Sequence, residues 1–207
     1  MRVNGALYDL QTDWSNTSNP NGVWSSLVSG LPAVAGVRGD DNFGPPGPPL
    51  IWGSGHVGWS QSNGSQSYLD IQVGDIYGHP EPSNPISITW TSPDAGTAQV
   101  DGGTWKLRDP GMPLTWTMKL NGLAVMDSGS LYSGDPFNRA TPDAFNFSTP
   151  VQPGDVLELR VVTAGSWGDY VGVNFTVNTI PEPSVVMLGL IGLTSIALRR
   201  RNNRRIG

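Results

Sequence analysis

Few residues in this sequence have the chemistry of a catalytic centre. The 207 residues include two histidines, His56 and His79, and no cysteine, which excludes disulfides, thiolate metal sites and a cysteine nucleophile. A Ser-His-Asp hydrolase needs a histidine beside an exposed serine. The Gly-Ser-Trp-Gly stretch that begins at Gly165 is one residue short of the Gly-x-Ser-x-Gly turn that presents such a serine. We therefore interpret both histidines as structural or solvated and assign no catalytic residue.

Carboxylates allow two other kinds of chemistry. Turn aspartates can brace loops around Ca²⁺, and two carboxylates that flank a cleft can hydrolyse a glycosidic bond. The sequence selects neither pattern, because turn aspartates commonly accept hydrogen bonds from their own backbone and the 17 acids form no dense ligand spacing. No metal and no cofactor is predicted. The aspartates weighed for Ca²⁺ are Asp40, Asp41, Asp94, Asp101, Asp109 and Asp169.

The eight tryptophans give a stronger indication of a ligand. Trp90 and Trp116 fall on apolar positions of alternating segments and are predicted core residues. An exposed indole can lie flat on the apolar face of a sugar ring, and glycines beside it leave little side chain to cover it. The predicted ligand-binding residues are Trp52, Trp59 and Trp167. The alternative is that these indoles are buried and fill the core.

The net charge of −5 conceals a strong asymmetry along the chain. Five arginines lie within the last nine residues, and they are Arg199, Arg200, Arg201, Arg204 and Arg205. The rest of the chain keeps seven basic residues against all 17 acidic ones. Because phosphate contact requires a basic surface, this acidic body is not expected to bind nucleic acid.

Alternation of apolar and polar residues predicts that β-strands position these side chains. Residues 86–91, 114–120, 156–163 and 171–177 alternate clearly, and Asn121-Gly122 marks a tight hairpin turn. Shorter candidate strands are residues 56–60, 68–73, 96–101, 103–107 and 144–148. Strands with one polar face indicate an all-β fold, an antiparallel β-sandwich over residues 1–179.

The end of the chain has a different character. Residues 184–198 carry no charge, and as a helix they would be about 22 Å long, somewhat short of a bilayer core of about 30 Å. The arginines that follow can reach the lipid headgroups and extend this span. The sequence predicts a linker at 180–183, a single transmembrane helix at 184–198 and a basic cytoplasmic tail at 199–207, with the body outside. A buried core helix is the alternative.

Pro181-Glu182-Pro183, the apolar stretch and the arginine cluster together resemble the PEP-CTERM protein-sorting signal of bacteria, which is also described at the ends of some proteins labelled as ice-binding. The resemblance covers the last 27 residues. It implies export, recognition by a membrane-embedded exosortase, processing near Pro181, Glu182 and Pro183, and release to the cell surface or extracellular matrix. Such proteins begin with a signal peptide. The first residues here are polar, so we expect an apolar segment upstream of Met1. The alternative is that the tail alone directs insertion.

The body resembles, more loosely, β-sandwich domains that accompany such tails, some of them fused to carbohydrate-active enzymes. The matching segments are residues 19–24, 90–97, 120–122, 151–157 and 169–177. These are mostly turn and core positions, so the resemblance implies a jelly-roll fold and brings no active site. The sequence therefore predicts an exported, non-enzymatic protein whose sandwich contacts polysaccharide. The alternative is an extracellular carbohydrate-active hydrolase.

Overall fold

The computed structural model describes residues 5–33, 57–62, 69–107, 112–132, 139–165 and 169–181. Twelve strands in this part of the chain form two six-stranded sheets in which every strand pair is antiparallel. The sheets pack face to face around one main hydrophobic core that draws residues from both. The predicted antiparallel β-sandwich is thus confirmed in its two-sheet architecture.

Sheet A is built around the last strand of the described chain. Its strands are β1 (Ala6–Asp9), β4 (Gly58–Gln61), β5 (Ile76–His79), β7 (Gly96–Lys106), β10 (Asp143–Val151) and β12 (Val171–Pro181). They lie in the order β10-β7-β12-β5-β4. One edge of β12 pairs with β7 along its full length, while the other edge pairs first with β5 and then with β1.

Sheet B contains three of the four strands that the sequence pattern marks most clearly. Its members are β2 (Trp24–Val28), β3 (Leu31–Pro32), β6 (Ile86–Thr91), β8 (Leu114–Leu120), β9 (Ala124–Leu131) and β11 (Val156–Thr163). They lie in the order β3-β2-β6-β11-β8-β9, and a one-turn helix, α1 (Leu10–Asp13), follows β1. The predicted strands β6, β8 and β11 are confirmed at their predicted bounds. Their alternate residues face the core, which is why the period of two is so regular.

The Asn121-Gly122 turn between β8 and β9 is confirmed. Both residues have positive φ, at 52° and 70°, and Leu123 N donates to Leu120 O at 3.1 Å. The Asn121 side chain also fixes the neighbouring strand, because its Oδ1 accepts from Val156 N at 2.9 Å and its Nδ2 donates to Asp155 Oδ1 at 3.0 Å. The hairpin tip is therefore joined to the start of β11.

The two strands predicted at residues 96–101 and 103–107 are the single continuous strand β7, so the predicted break at Gly102 is wrong. A Cβ on Gly102 would lie 2.5 Å from ring atom Cε2 of Phe145 and would also clash with the carbonyl oxygen of Asn174. Gly102 is therefore required by a close approach across the sheet and not by a turn.

The predicted strand at residues 68–73 is also wrong for the residues described there. Asp70 has a positive φ of 46°, and Leu69 and Ile71 turn toward a second, smaller apolar cluster. The apolar residues spaced two apart in this segment therefore do not mark a strand. They belong to a loop that packs on part of sheet A.

The last strand runs two residues beyond the predicted body. Ile180 pairs with Thr97 and Pro181 with Gly96, so the predicted linker 180–183 begins inside β12. Residues 182–207 lie outside the described part of the chain, and with them the predicted membrane helix, Glu182, Pro183 and all five arginines of the tail. Within the described residues, no helix has the length and apolar character needed to cross a bilayer.

We predict that the turn at residues 152–155 makes stability depend on acid pH. The pKa of Asp155 lies below its ordinary value, because the backbone N–H of Gln152 and the side-chain amide of Asn121 donate to its carboxylate. Such a group stabilises the fold above its unfolded pKa of about 3.9, and this contribution is lost as the pH falls through the folded pKa. Urea midpoints should therefore be lower for Asp155→Asn than for the parent at pH 6, with the difference vanishing at strongly acid pH.

Asp94→Asn is the control, because it removes the same charge from the adjacent turn. A difference between Asp155→Asn and the parent that stays constant with pH would contradict the assignment.

Candidate functional site

Trp59, predicted as an exposed sugar platform, is buried with 0% exposure, so that prediction is wrong. It lies in β4 directly opposite Gly78 of β5, and a Cβ on Gly78 would be 2.6 Å from the indole. The neighbouring glycine was expected to leave the ring exposed. Instead, its missing side chain leaves the space that the Trp59 ring fills. Trp52 and Trp167 lie outside the described residues, so their role remains a prediction.

The same indole-over-glycine pair occurs twice more. Trp116 lies opposite Gly129, and Trp105 lies opposite Gly172. In both pairs a Cβ on the glycine would overlap the indole. Trp90 and Trp116 are confirmed as core residues, and Trp24 is buried beside them. Trp14 is half-buried, with its Nε1 donating to Asn16 Oδ1 at 2.7 Å.

The outer face of sheet A carries a regular array of polar side chains. Alternate residues of β7, β10 and β12 point away from the core, and most of them end in an amide, hydroxyl or carboxylate. We call this surface the amide face. It consists of Gln99, Asp101, Asn146, Ser148, Asn174, Thr176 and Asn178, all exposed or half-buried.

Strand register places the amide face in rows. Ser148, Gln99 and Asn178 are directly opposite one another across three strands. In the next row Asn146 lies opposite Asp101, which in turn lies opposite Thr176. Neighbouring strands are about 4.8 Å apart, and successive rows about 7 Å apart along a strand. The face therefore presents polar groups at regular intervals in two directions.

Hydrogen bonds between strands hold these side chains in place. Asn146 Nδ2 donates to Asp101 Oδ2 at 2.7 Å, and Asn178 Nδ2 donates to Gln99 Oε1 at 3.1 Å. Thr176 Oγ1 donates to Asp101 O at 3.1 Å. Each primary amide has two N–H donors and a carbonyl acceptor, so an amide in such a pair can still donate to and accept from a hydroxyl group.

Charge distinguishes the two outer faces of the sandwich. Asp101 is the one charged member of the amide face. The outer face of sheet B instead carries Lys119, Glu158 and Arg160 on neighbouring strands. A surface rich in neutral donors and acceptors, with a carboxylate and no cation among its members, suits a neutral ligand with hydroxyl groups and does not suit an anion.

A cleft of about 260 Å³ adjoins the amide face at Asn174. Its other lining residues include Gln11, Asp75, Trp105, Arg139 and Pro142. Gln11 donates through Nε2 to Gly74 O at 2.8 Å, which fixes that wall of the cleft. The cleft extends the polar surface past the end of the rows.

Arg139 closes the cleft by joining two separate segments of the chain. Its Nη1 and Nη2 donate to the two carboxylate oxygens of Asp75 at 2.9 and 2.7 Å, and its Nε donates to Asp70 Oδ2 at 3.2 Å. Its Nη2 also donates to the carbonyl oxygen of Asp70. Burial lowers the pKa of Arg139, but hydrogen bonds and charge from Asp75 and Asp70 outweigh that effect and leave the pKa raised.

The guanidinium of Arg139 also covers Trp105. Its Cζ lies 4.9 Å from the centre of the indole, within the range of a cation–π contact. Trp105 thus lies between Gly172 and Arg139 and belongs to the second apolar cluster on the outside of sheet A. That cluster comprises Leu69, Ile71, Tyr77, Trp105, Leu107 and Tyr170. The ring is covered and offers no stacking face.

Two described side chains that could take part in hydrolysis have structural contacts. Both oxygens of Asp75 accept hydrogen bonds from Arg139, which leaves Asp75 poorly placed to act on a substrate. The His79 ring packs at an angle of 52° against the Tyr170 ring, with 4.6 Å between ring centres, and His56 lies outside the described part. In the described part no three His, Asp or Glu side chains are grouped closely enough to hold a metal ion. Of the aspartates weighed for Ca²⁺, Asp40, Asp41 and Asp109 lie outside it.

Comparison with known proteins finds similarity in structure alone. The sequence matches no protein-family model and no curated protein. A family 35 carbohydrate-binding module from Clostridium thermocellum is 14% identical over 51% of this chain and 78% of the module, with a TM-score of 0.33. The module TmCBM61, solved with beta-1,4-galactotriose, is 14% identical over 60% of this chain and 83% of its own, with a TM-score of 0.37.

A family 29 carbohydrate-binding module covers more of the chain. It is 10% identical over 86% of this chain and 88% of the module, with a TM-score of 0.35. All three TM-scores lie below 0.5, so the functional argument rests on the residues described above.

We predict that Arg139→Met destabilises the protein by about 1–3 kcal/mol, because it leaves the nearly buried carboxylate of Asp75 without its cation. An exposed ion pair would contribute at most about 1 kcal/mol. Urea unfolding measures the difference, and Arg160→Met on the exposed face of sheet B is the matched control. The double variant Arg139→Met/Asp75→Asn should recover part of the loss. Equal effects of Arg139→Met and Arg160→Met would show that Arg139 contributes no more to the free energy of unfolding than an exposed arginine does.

Proposed function

We propose that this chain is an exported, non-enzymatic protein whose sandwich binds neutral polysaccharide through the amide face and the cleft beside it. The observation that carries the proposal is the row structure of the amide face, in which amide, hydroxyl and carboxylate groups repeat across three adjacent strands. Sugars present hydroxyl groups that both donate and accept. Amides match both roles, and a carboxylate accepts strongly.

The pairs within the amide face support binding because they fix its geometry in advance. Asn146 and Asp101 restrain each other, as do Asn178 and Gln99, so fewer side-chain rotations are lost when a ligand binds. Five of the described tryptophans are buried, so stacking on those indoles contributes nothing. Binding should therefore depend on several hydrogen bonds of modest strength, and an extended sugar chain gains most from such a repeating surface.

We predict that Asn146→Ala and Asn178→Ala each weaken binding of the full chain, in mild detergent, to a neutral polysaccharide. A lost hydrogen bond contributes about 0.5–1.5 kcal/mol, which corresponds to roughly a two- to tenfold rise in Kd. A glycan array selects the ligand, and affinity electrophoresis measures the Kd. Thr117→Ala on sheet B is the control, and uronate-containing polysaccharides should bind less well than neutral ones.

Unchanged binding in both Asn variants, or a preference for uronates, would contradict the role of the amide face. Trp52→Ala and Trp167→Ala in the same assay test the two predicted tryptophans that lie outside the described residues. Release of reducing sugar by the parent protein would favour the hydrolase alternative.

The export part of the proposal rests on the tail sequence. The resemblance to the PEP-CTERM signal assigns recognition to a membrane-embedded exosortase, with residues 184–198 in the bilayer and the five arginines on its cytoplasmic side. The position of Pro181 at the last paired residue of β12 supports this reading, because cleavage after it would leave the sandwich intact.

We predict that processing removes the tail at or beyond Pro181 without cutting into β12. The mass of the mature protein, after expression in a host with and without an exosortase, measures the new C-terminus. Replacement of Pro181, Glu182 and Pro183 by alanines should leave the tail attached, whereas Pro150→Ala, at an exposed sheet position, should not. A mature end upstream of Pro181 would contradict the prediction, since β12 would lose residues that pair with β7.

A further inference from the structure

The end of the sandwich from which the chain leaves is a tightly connected unit. Pro181 ends β12 opposite Gly96, beside the turns at residues 92–95, 121–123 and 152–155. Ser92 N donates to Asp155 O, and Gly154 N donates to Ser92 O, both at 2.8 Å. The Asn121–Asp155 hydrogen bond adds the hairpin tip to this unit. We call it the exit end.

Four large apolar side chains are exposed at the exit end. Leu123 on the hairpin tip is 88% exposed, and Val125 follows it in β9. Leu7 in β1 lies opposite Asn178, and Ile180 lies opposite Thr97 near the end of β12. We call Leu7, Leu123, Val125 and Ile180 the apolar rim. The other exposed large hydrophobic side chains of the described chain are Leu31, Val73 and Tyr132, of which Leu31 and Tyr132 belong to the opposite end.

The sequence that follows Pro181 indicates what meets the apolar rim. Only Glu182 and Pro183 separate Pro181 from the uncharged residues 184–198. Three residues span at most about 11 Å, so insertion of that stretch would hold the exit end against the bilayer surface. Exposed leucines, valines and isoleucines at this distance gain free energy by entering the interface.

Charge at the exit end favours a shallow contact with uncharged lipid. Asp94 and Asp155 lie on its turns. Among the described residues, Lys119 is the cation near this end, opposite Val125. This surface therefore provides no basic patch for anionic headgroups, and its attraction to a membrane comes from the apolar side chains.

We propose that the apolar rim is a membrane-contact surface that sets the sandwich upright on the lipid bilayer while the tail is attached. This inference rests on the proposed insertion of the tail. The amide face then stands along the side of the upright sandwich, roughly perpendicular to the membrane and open to polymer. After processing, the rim loses its tether and the contact becomes weak.

The absence of cysteine from the sequence allows a direct test with single labels. Leu123→Cys, Leu31→Cys and Leu193→Cys are each labelled with an environment-sensitive fluorophore in the full chain and reconstituted into phosphatidylcholine vesicles. Lipids carrying a nitroxide at the headgroup or deep in the acyl chain then quench the label by depth. Leu31 is the matched control, since it is 70% exposed and lies at the opposite end.

We expect the acyl-chain nitroxide to quench the label at position 193 and the headgroup nitroxide to quench most emission of the label at position 123. Neither nitroxide should quench the label at position 31. A label at 193 that remains in water overturns the proposed anchoring and the rim with it. Quenching at 193 with none at 123 overturns the rim alone. Equal quenching at 123 and 31 also overturns it, because the sandwich would then have no preferred orientation. Val125→Cys repeats the measurement if Leu123→Cys fails to fold by circular dichroism.

Discussion

Three indoles of the sandwich occupy space that only a glycine on the next strand leaves open. Trp59 over Gly78 and Trp116 over Gly129 fill the main core, and Trp105 over Gly172 fills the outer cluster. Burial of each ring contributes at least the roughly 1.5–3 kcal/mol of a large apolar side chain, and Trp59 and Trp116 contribute it in the core between the two sheets. A side chain on any of the three glycines would displace the ring.

This constraint also determines what the surface can present. Because the described tryptophans are used in packing, the open part of sheet A displays amides and hydroxyls. Trp105 needs cover on its outward side, and Arg139 supplies it while binding Asp70 and Asp75. The covered cluster and the open amide face are thus two parts of one sheet surface, and Arg139 forms the boundary between them.

Local alternation was sufficient to predict β6, β8 and β11 of sheet B, whose alternate residues face the core, but it predicted neither β2 nor β3. It failed where a glycine served a partner distant in sequence. Gly102 makes room for Phe145 and Gly78 for Trp59, and nothing near either glycine in the sequence reveals that partner. The alternation of Asn174 and Thr176 with apolar residues was visible in the sequence. The amide face was not, because it requires the register of β7 against both β12 and β10.

The place of β12 in sheet A has a consequence for how the protein is made. This strand is the last of the described body in the chain, yet it is the centre of its sheet, joining β7 on one side to β5 and β1 on the other. Until residues 171–181 leave the ribosome, the strands on the two sides of β12 have no central strand to pair with. Closure must then wait for contacts between the two ends of the body, and such distant pairings form slowly. The nascent sheet therefore stays open until residues 171–181 have left the ribosome.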